Sequence, residues 1–328
     1  MFILLLGQFL SLLITTTAIS NDRLADCGKQ FPSTQNMFVY LLLAFHIFPL
    51  IRKAPTSTHL LLADHHKHHR LFKLQLNLPW PYYLTMAFLD VEANFLVVLA
   101  YKYTSVFSIA LISTCSIAWV MLFSSIILKR HYKTFHYIGS SCAILGVLVT
   151  IFNDYLHTNS ENENSTHTIV GDIICFFGTA LYALNNVFFE WSVKKVDDTE
   201  YLSMLGFFGF LVSLVQVLIF EPSGLADVFD SNSCTATAHT LYLVGYVLAL
   251  VIFYCAVAVF LKKSESALFN LHLLTVNLYV VIVEVFVGGS SSIGPLYFLS
   301  LALITGGVCI YHSTTSPIEN NDDTQEQQ

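Results

Sequence analysis

Ten mostly apolar stretches follow one another along the chain, separated by short polar segments. A helix needs about 20 such residues to cross the hydrocarbon layer of a bilayer. Lipid offers no partner for backbone amides, so each stretch should be helical. The pattern predicts an all-α membrane protein with about ten transmembrane helices. The approximate bounds are Phe2–Ile19, Asn36–Ile51, Pro81–Tyr101, Ser105–Leu128, Phe135–Phe152, Val170–Trp191, Leu202–Phe220, Thr240–Leu261, Ala267–Val287 and Leu296–Tyr311.

The composition fits one membrane domain with short connections. Of the 328 residues, 55% are apolar and 11% are charged, whereas soluble domains carry roughly 25% charged residues. We expect a single transmembrane domain over residues 1–315 and a disordered, acidic, cytoplasmic tail over residues 316–328. The net charge of −7 and the lack of a long basic stretch argue against nucleic acid. The expected partners are membrane lipid and a small solute, and we expect no cofactor.

Basic residues alternate from loop to loop and predict the orientation of the chain. Cytoplasmic loops collect Lys and Arg. Twelve of the 15 basic residues fall in the connections after the second, fourth, sixth and eighth stretches, and only Arg23, Lys29 and Lys102 fall on the other side. Both termini are then cytoplasmic. Golgi, endosomal and plasma membranes all fit this orientation.

Two features of the non-cytoplasmic loops agree with that orientation. Asn164-Ser165-Thr166 is an N-glycosylation sequon in the connection after the fifth stretch. Cys27 and Cys234 fall on the same side, where the sequence is compatible with either a disulfide or two free thiols. The other five cysteines lie in apolar stretches and are expected to be reduced packing residues.

The first stretch has a second interpretation, a cleaved signal peptide, because Ala18-Ile19-Ser20 resembles a cleavage site. No basic residue precedes the stretch, however, whereas Arg23 and Lys29 follow it. We therefore favour a retained helix.

Carboxylates inside the predicted helices are the main candidates for function. A charged group at the bilayer centre costs about 2.5–3.5 kcal/mol on insertion scales, so it needs a partner or a purpose. Asp90 and Glu92, near the middle of the third stretch, are two residues apart and face different ways, whereas Asp90 shares a face with Asn94. No Lys or Arg lies centrally in any stretch. The two carboxyls must then be protonated, held by hydrogen-bond donors or open to an aqueous cavity, and proton coupling is a hypothesis that follows.

Other polar side chains recur at helical spacing in the sixth and ninth stretches. They are Tyr182, Asn186 and Glu190, four residues apart, and Asn270, Asn277 and Glu284, seven residues apart. Hydrogen bonding between helices, at about 0.6 kcal/mol each, is the simpler role of any one of them. The alternative is a solute and ion pathway, for which the predicted set is Asp90, Glu92, Asn94, Tyr182, Asn186, Asn270, His272, Asn277 and Glu284. Since a phosphate group usually recruits Arg or Lys, the core suits a neutral or cationic solute better than a polyanion.

Histidines raise the question of metal binding. The segment from His65 to His69 has only Asp64 as an acidic neighbour, which favours a solvated or lipid-facing loop and no metal site. His46 and His272 lie within apolar stretches and are candidate proton carriers. A hydrogen-bonded packing role is the simpler interpretation of each.

Several segments together carry a family resemblance. The most specific is Asp90-Val91-Glu92-Ala93-Asn94 followed by Ala100-Tyr101-Lys102-Tyr103-Thr104, and the weaker ones are Leu4–Leu10, Gly178–Val187, Met204–Gly209 and Asn270–Thr275. They resemble the F subfamily of solute carrier family 35, in the drug/metabolite transporter superfamily, over nearly the whole chain. The resemblance implies two inverted five-helix repeats, roughly residues 1–153 and 170–312, with a binding site near the midplane. The family's name associates it with nucleotide sugars.

The chain departs from the family pattern at several polar positions. Ala110 and Ser113 replace a Gln and an Asp in helix four, while His272 replaces a Ser and Asn277 an Asp in helix nine. These changes favour either a different solute or impaired transport. The family also usually carries a tail before helix one, whereas this chain begins inside the helix, so the completeness of the N-terminus stays open.

The sequence thus predicts a secondary transporter that works by alternating access. Nucleotide sugars, nucleosides or nucleobases, and cationic metabolites are the candidate solute classes. The alternative is a non-transporting membrane scaffold or receptor derived from a carrier, which Ala110 and Ser113 support and the short loops do not. We do not expect an enzyme, because the histidines are scattered and no catalytic set is clustered in the sequence.

Overall fold

The computed structural model describes eleven helices and four short strands. The residues it describes are 2–27, 31–48, 69–71, 74–100, 103, 109, 112–157, 165–224, 234–288, 295–314 and 318–319. The helices are α1 (Phe2–Asp26), α2 (Pro32–Ala44), α3 (Trp80–Ala100), α4 (Ser116–Ile127), α5 (Thr134–His157), α6 (Ser165–Lys195), α7 (Asp198–Phe220), α8 (Ala236–Lys263), α9 (Ser266–Leu273), α10 (Val276–Gly288) and α11 (Pro295–His312). Strands β1 (His69–Leu71) and β2 (Leu74–Leu76) form one antiparallel pair, and β3 (Arg130–His131) and β4 (Ile318–Glu319) form another.

Five helical segments within the described part of the chain are long and apolar enough to cross a membrane, judged by length and composition. They are Phe2–Asn21, Trp80–Ala100, Ile169–Lys195, Asp198–Phe220 and Ala236–Lys263. Four shorter apolar segments accompany them: Ile112–Ile127, Thr134–Val149, Ser266–Val280 and Phe298–His312. The predicted all-helical membrane architecture is therefore confirmed, while five segments rather than ten reach full spanning length among these residues.

The ninth predicted stretch differs most from the structure, because a turn at Leu274 and Thr275 divides it into α9 and α10. Thr275 N–H bonds the carbonyl of His272 at 3.0 Å, in an i→i+3 pattern. The Thr275 hydroxyl bonds the same carbonyl at 2.8 Å. The prediction of one continuous helix was therefore wrong. Apolar periodicity reports which positions are buried, but it carries no signal for a local backbone turn.

The first two helices also differ from their predicted bounds. α1 continues past Ile19 to Asp26. α2 begins at Pro32, where a proline's missing N–H is not needed, and ends at Ala44 in another i→i+3 turn. At its start, the Glu221 carboxylate accepts hydrogen bonds from the Ser33 and Thr34 backbone amides, each at 2.9 Å.

Helices distant in sequence pack most closely. The main pairs are α1 with α8, α2 with α7, α3 with α6 and α5 with α11. A Cβ added at Gly206 of α7 would clash with the backbone of Ala44. A Cβ added at Gly139 of α5 would lie 2.7 Å from the carbonyl oxygen of Gly307 on α11. Glycine lets helix backbones approach this closely, as is common between membrane helices.

α1 and α8 run antiparallel, and their ends mark the two ends of the helical bundle. Cys27, after α1, and Cys234, before α8, form a disulfide with Cα atoms 5.2 Å apart. At the other end, Lys263 Nζ lies 4.7 Å from the centre of the Phe2 ring. The 28 residues of α8 extend about 40 Å, which is about the thickness of a bilayer with its headgroups. The five remaining cysteines are free.

Candidate functional site

Asp90 lies buried where four helices meet, with only 2% of its side chain exposed. Its carboxylate accepts three hydrogen bonds. The Tyr40 hydroxyl of α2 donates at 2.8 Å, the Tyr254 hydroxyl of α8 at 2.6 Å, and the Asn185 amide of α6 at 2.6 Å. Neutral donors therefore offset the cost of burying this group, in place of a cation.

Asn94, one turn after Asp90 on α3, extends the same arrangement. Its amide nitrogen donates to the hydroxyls of Tyr40 at 3.0 Å and Tyr254 at 3.1 Å. Its Oδ1 accepts a hydrogen bond from Tyr182 at 2.6 Å. We call the six residues the central polar cluster: Tyr40, Asp90, Asn94, Tyr182, Asn185 and Tyr254. Tyr182 is half-buried, whereas the others are buried.

One atom of the central polar cluster lacks a partner. Asn185 donates through Nδ2 to Asp90, but its buried Oδ1 makes no hydrogen bond to the described residues. The two ends of an amide side chain are nearly the same shape, so a rotation by half a turn would exchange donor and acceptor. The cluster can therefore accommodate a donor as well as an acceptor at this point.

Glu92 faces away from the central polar cluster, as its two-residue offset from Asp90 predicts. Its Oε1 accepts a hydrogen bond of 2.8 Å from Gln216 Nε2 on α7, and its side chain is half-buried. The structure therefore does not bring Glu92 into contact with Asp90. It places Glu92 in a polar contact between α3 and α7.

A second polar cluster lies between α1 and the α9–α10 turn. His272 Nδ1 lies 3.2 Å from Gln8 Nε2, and Gln8 Oε1 accepts from the Tyr279 hydroxyl at 2.7 Å. A Cβ at Gly7 would lie 2.5 Å from the Cγ of His272, so only glycine admits the imidazole ring at this position. His272 is fully buried, and its Nε2 has no partner among the described residues.

The remaining predicted pathway residues are less connected. Asn186 Nδ2 donates to Asn270 Oδ1 at 3.3 Å, which links α6 to α9. Asn277 is half-buried on α10 and makes no hydrogen bond within the described part of the chain. Glu284 lies on α10, but its side chain is outside the described residues, as is the sequon residue Asn164.

A network of charged groups lies near the Lys263 end of the bundle. Glu190 of α6 is 0% exposed, and its Oε1 lies 2.5 Å from both Arg130 Nη2 and Lys194 Nζ. Its Oε2 accepts from the Ser266 backbone amide at 2.8 Å, which caps the start of α9. The sequence pattern grouped Glu190 with Tyr182 and Asn186. The structure instead places it among cations.

Glu265 completes this network. It accepts a 2.8 Å hydrogen bond from the Tyr311 hydroxyl and lies 3.6 Å from Arg130. Burial raises the pKa of Glu265 to about 7, although Tyr311 and Arg130 oppose the shift. Burial acts to lower the pKa of Arg130, but Glu190 and Glu265 outweigh burial and raise this pKa above its usual range. We call the five side chains the ionic network: Arg130, Glu190, Lys194, Glu265 and Tyr311.

Sequence reasoning missed the direct partners of Asp90. Tyr40, Asn185 and Tyr254 come from three other helices. A tyrosine in the middle of an apolar stretch is a weak signal of a buried hydroxyl, and Asn185 is adjacent to a predicted residue. No pattern in one sequence shows which helices meet.

The structure holds no metal-binding constellation in the part of the chain it describes, where no three or more His, Cys, Asp or Glu side chains are grouped. Of the histidine-rich segment, residues 65–68 and the side chain of His69 lie outside the described residues.

Comparison with known proteins identifies relatives along almost the whole chain. The family model SLC35F, for solute carrier family 35, matches residues 1–313. Solute carrier family 35 member F2 of Mus musculus is 32% identical over 310 residues, which cover 94% of this chain and 78% of that protein. The Xenopus tropicalis protein of the same name is 31% identical over 316 residues, covering 95% and 76%.

Comparison with solved structures also finds a match over almost the whole chain. One protein of known crystal structure superposes with a TM-score of 0.69 over 94% of this chain and 95% of that chain, at 16% sequence identity. At that identity the match shows a shared fold and nothing more.

Proposed function

Because the chain belongs to solute carrier family 35, within its F subfamily, we propose that it is a secondary transporter that carries a small organic solute across a membrane by alternating access. The observation that carries this proposal is Asp90, a carboxylate buried within a membrane helix and held only by neutral donors. Ionisable groups inside membrane helices usually mark a solute or ion pathway. We place the pathway at the central polar cluster.

We also propose that α1–α5 and α6–α11 are two inverted repeats, with α9 and α10 together as the ninth helix and α11 as the tenth. A two-fold relation between the repeats exchanges α1 with α6 and α3 with α8. It therefore maps the α1–α8 pair onto the α6–α3 pair, and both pairs pack closely. The α2–α7 and α5–α11 pairs map onto themselves. This common exchange supports a two-fold arrangement of the kind found in many transporters.

Local turns in α4 and in the ninth helix support the same proposal. Cys115 N–H bonds the Ile112 carbonyl at 3.0 Å just before α4, and Thr275 N–H bonds the His272 carbonyl at 3.0 Å between α9 and α10. The fourth and ninth helices exchange under the two-fold relation. Interrupted helices at corresponding positions of two repeats are a common feature of transporter binding sites.

The chemistry of the central polar cluster favours a neutral or cationic solute. Its members are three tyrosines, two asparagines and one aspartate, and none is Lys or Arg. Hydroxyl and amide groups orient polar solutes, and Asp90 can pair with a cation. Among the candidate classes, nucleosides, nucleobases and cationic metabolites therefore fit better than nucleotide sugars, whose phosphates prefer Arg or Lys.

We further propose that a proton is coupled to transport, with Asp90 and Glu92 as the groups that load and release it. Both lie on α3, and each faces a different neighbour. A carboxyl that exchanges a hydrogen-bond donor for a solute changes its proton affinity, which is the link that coupling requires.

The orientation with both termini cytoplasmic is supported from both ends of the bundle. The Cys27–Cys234 disulfide lies at one end of α1 and α8, and disulfides form on the non-cytoplasmic side. Lys262 and Lys263 lie at the other end of α8, as cytoplasmic basic residues do. Golgi, endosomal and plasma membranes remain the proposed locations.

Uptake into proteoliposomes tests the proposal. Purified protein is screened with radiolabelled nucleosides, nucleobases, organic cations and nucleotide sugars, with and without a pH gradient. We expect saturable uptake of one class. The absence of uptake of every class, by protein shown to be folded, would favour the scaffold alternative. If the Glu92→Gln variant takes up solute as wild type does at every pH, Glu92 has no role in proton coupling.

A further inference from the structure

A cavity of about 390 Å³ lies at the end of the bundle opposite the disulfide. Its volume falls within the range of about 300–1,000 Å³ that is usual for small-molecule sites. Residues from the start of α1, the α4–α5 connection, the ends of α6, α8 and α11, and the start of α9 line it. It is a separate site from the central polar cluster, since it shares no residue with it.

Cations outnumber carboxylates in the described wall of this cavity, which we call the basic end pocket. Arg130, Lys194, Lys262 and Lys263 line it, while Glu265 is the single carboxylate among its described lining residues. Hydroxyl groups from Ser264 and Thr314 add neutral donors, whereas the Tyr311 hydroxyl already donates to Glu265. Lysine and arginine with hydroxyl donors are the groups that proteins use to hold phosphate oxygens.

The cations of the pocket differ in how firmly they are already paired. Arg130 and Lys194 contact the buried Glu190. Lys263, by contrast, lies over the Phe2 ring and has no carboxylate partner among the described residues. Lys262 pairs with Asp198 at 3.0 Å, but the two side chains are 46% and 28% exposed. Exposed pairs of this kind contribute little to stability, so both lysines are available to an incoming anion.

The carboxylates around the pocket do not cancel its charge. Among the contacts of the described residues, the four cations outnumber Glu190, Glu265 and Asp198, the carboxylates that pair with them or line the pocket. Burial also raises the pKa of Glu265 to about 7, so part of this carboxyl is neutral near physiological pH. The pocket therefore retains positive charge and attracts anions.

We propose that the basic end pocket binds a phosphate group, with Lys262 and Lys263 as its direct ligands and the hydroxyls of Ser264 and Thr314 as additional donors. Two sources of that group share this chemistry. A phosphorylated lipid headgroup reaches the pocket from the membrane surface, where α1 begins and α6 and α8 end. A free phosphate or a phosphorylated metabolite reaches it from the aqueous side. The proposal does not depend on transport, because binding alone tests it.

The first experiment measures the thermal unfolding midpoint of the purified full chain in detergent as the concentration of inorganic phosphate is increased at constant ionic strength. The test variant is Lys262→Gln with Lys263→Gln. The control is Lys195→Gln. Lys195 is likewise a lysine at the end of a helix, α6, but it lies over Trp191 and does not line the pocket. We expect phosphate to raise the midpoint of wild type and the control, with roughly tenfold weaker binding to the double variant. The double variant's own midpoint without phosphate checks its folding, and Lys263→Arg should retain binding.

The second experiment distinguishes the source of the phosphate. The protein is reconstituted into nanodiscs of phosphatidylcholine with or without a phosphoinositide, and native mass spectrometry measures retained lipid. If the headgroup is the ligand, wild type and Lys195→Gln retain the phosphoinositide, the double variant loses it, and inorganic phosphate acts only weakly. Equal behaviour of wild type and the double variant in both experiments would overturn the proposal.

Discussion

Asp90 and Glu190 are both buried carboxylates, 2% and 0% exposed, yet their partners differ in kind. Asp90 is held by two tyrosine hydroxyls and an amide. Glu190 is held by Arg130, Lys194 and a backbone amide. Fixed cations cancel the charge of Glu190. Neutral donors leave the charge of Asp90 in place, so a proton or a cationic solute can still compete for it.

Their positions along the helices explain the difference. Asp90 lies in the middle of α3, where no Lys or Arg is near in sequence. Glu190 lies five residues before the end of α6, within reach of basic residues in the end segments. A charge near the membrane surface is cheaper to bury and easier to pair. The comparison therefore supports the proposal that the transport pathway lies at the centre of the bundle and that the ionic network at its end stabilises the fold.

The largest expected effect comes from breaking the ionic network. Arg130→Met leaves Glu190 buried with one fewer cation, and we expect a loss of about 3–5 kcal/mol in unfolding free energy. Denaturant unfolding in detergent, or the unfolding rate where unfolding is irreversible, measures it. Adding Glu190→Leu should recover part of the loss, because it removes the uncompensated charge. A loss below about 1 kcal/mol in the single variant would contradict a stabilising role.

In the central polar cluster, the size of the effect should depend on the replacement. Asp90→Ala leaves Tyr40, Tyr254 and Asn185 without their acceptor, and we expect a loss of about 3 kcal/mol, given 1–3 kcal/mol per unsatisfied group. Asp90→Asn should cost less than about 1 kcal/mol, since Asn185 can rotate its amide and accept the new donor. Both are measured by unfolding midpoints. Equal losses in the two variants would contradict this account of Asn185.

Removing one hydroxyl from each region gives a smaller and more specific test. Tyr254→Phe and Tyr311→Phe each remove one donor to a carboxylate, so each should cost about 1.5–3 kcal/mol. Only Tyr254→Phe should change the solute concentration at half-maximal uptake, because Tyr311 lies in the ionic network. Comparable changes in uptake with both variants would contradict the proposal that the central polar cluster, and not the ionic network, acts on the solute.

The smallest effect concerns pH. The pKa of Glu265 in the folded chain is about 7, above its ordinary value of 4.5. The folded state therefore holds this proton more tightly, and its contribution to stability is lost as pH rises through about 7. Between about pH 6.5 and 7.5 we expect a decrease below about 1 kcal/mol. Glu265→Gln should flatten this dependence in thermal unfolding, and an unchanged slope would contradict the assignment.

Some of this arrangement followed from the sequence. Hydropathy predicted an all-helical membrane protein, and four-residue spacing placed Asp90 and Asn94 on one face of α3. The two-residue offset predicted that Glu92 faces away from Asp90, and in the structure Glu92 contacts Gln216 of α7. These conclusions depend only on helix geometry, which the chain fixes locally.

Contacts between helices could not be predicted in the same way. Tyr40 and Tyr254 lie 50 and 164 residues from Asp90 in the chain, and a single sequence carries no record of that proximity. The turn at Thr275 was also missed, since a hydroxyl bonded to the His272 carbonyl leaves the apolar pattern unchanged. Likewise, Glu190 shared the spacing of Tyr182 and Asn186, but Arg130 reaches it from another segment.

Uptake by the Asp90→Asn variant tests the central claim most directly. The variant should fold like wild type, because its hydrogen bonds can be rearranged, but it lacks the charge that we assign to the pathway. Uptake of a solute carried by wild type is measured per folded molecule in proteoliposomes, over a range of pH. We expect uptake to fall by about tenfold or more, the loss that follows when a group acts on the transported solute or proton rather than on stability. Uptake equal to wild type at every pH would contradict the claim that the central polar cluster lies on the transport pathway.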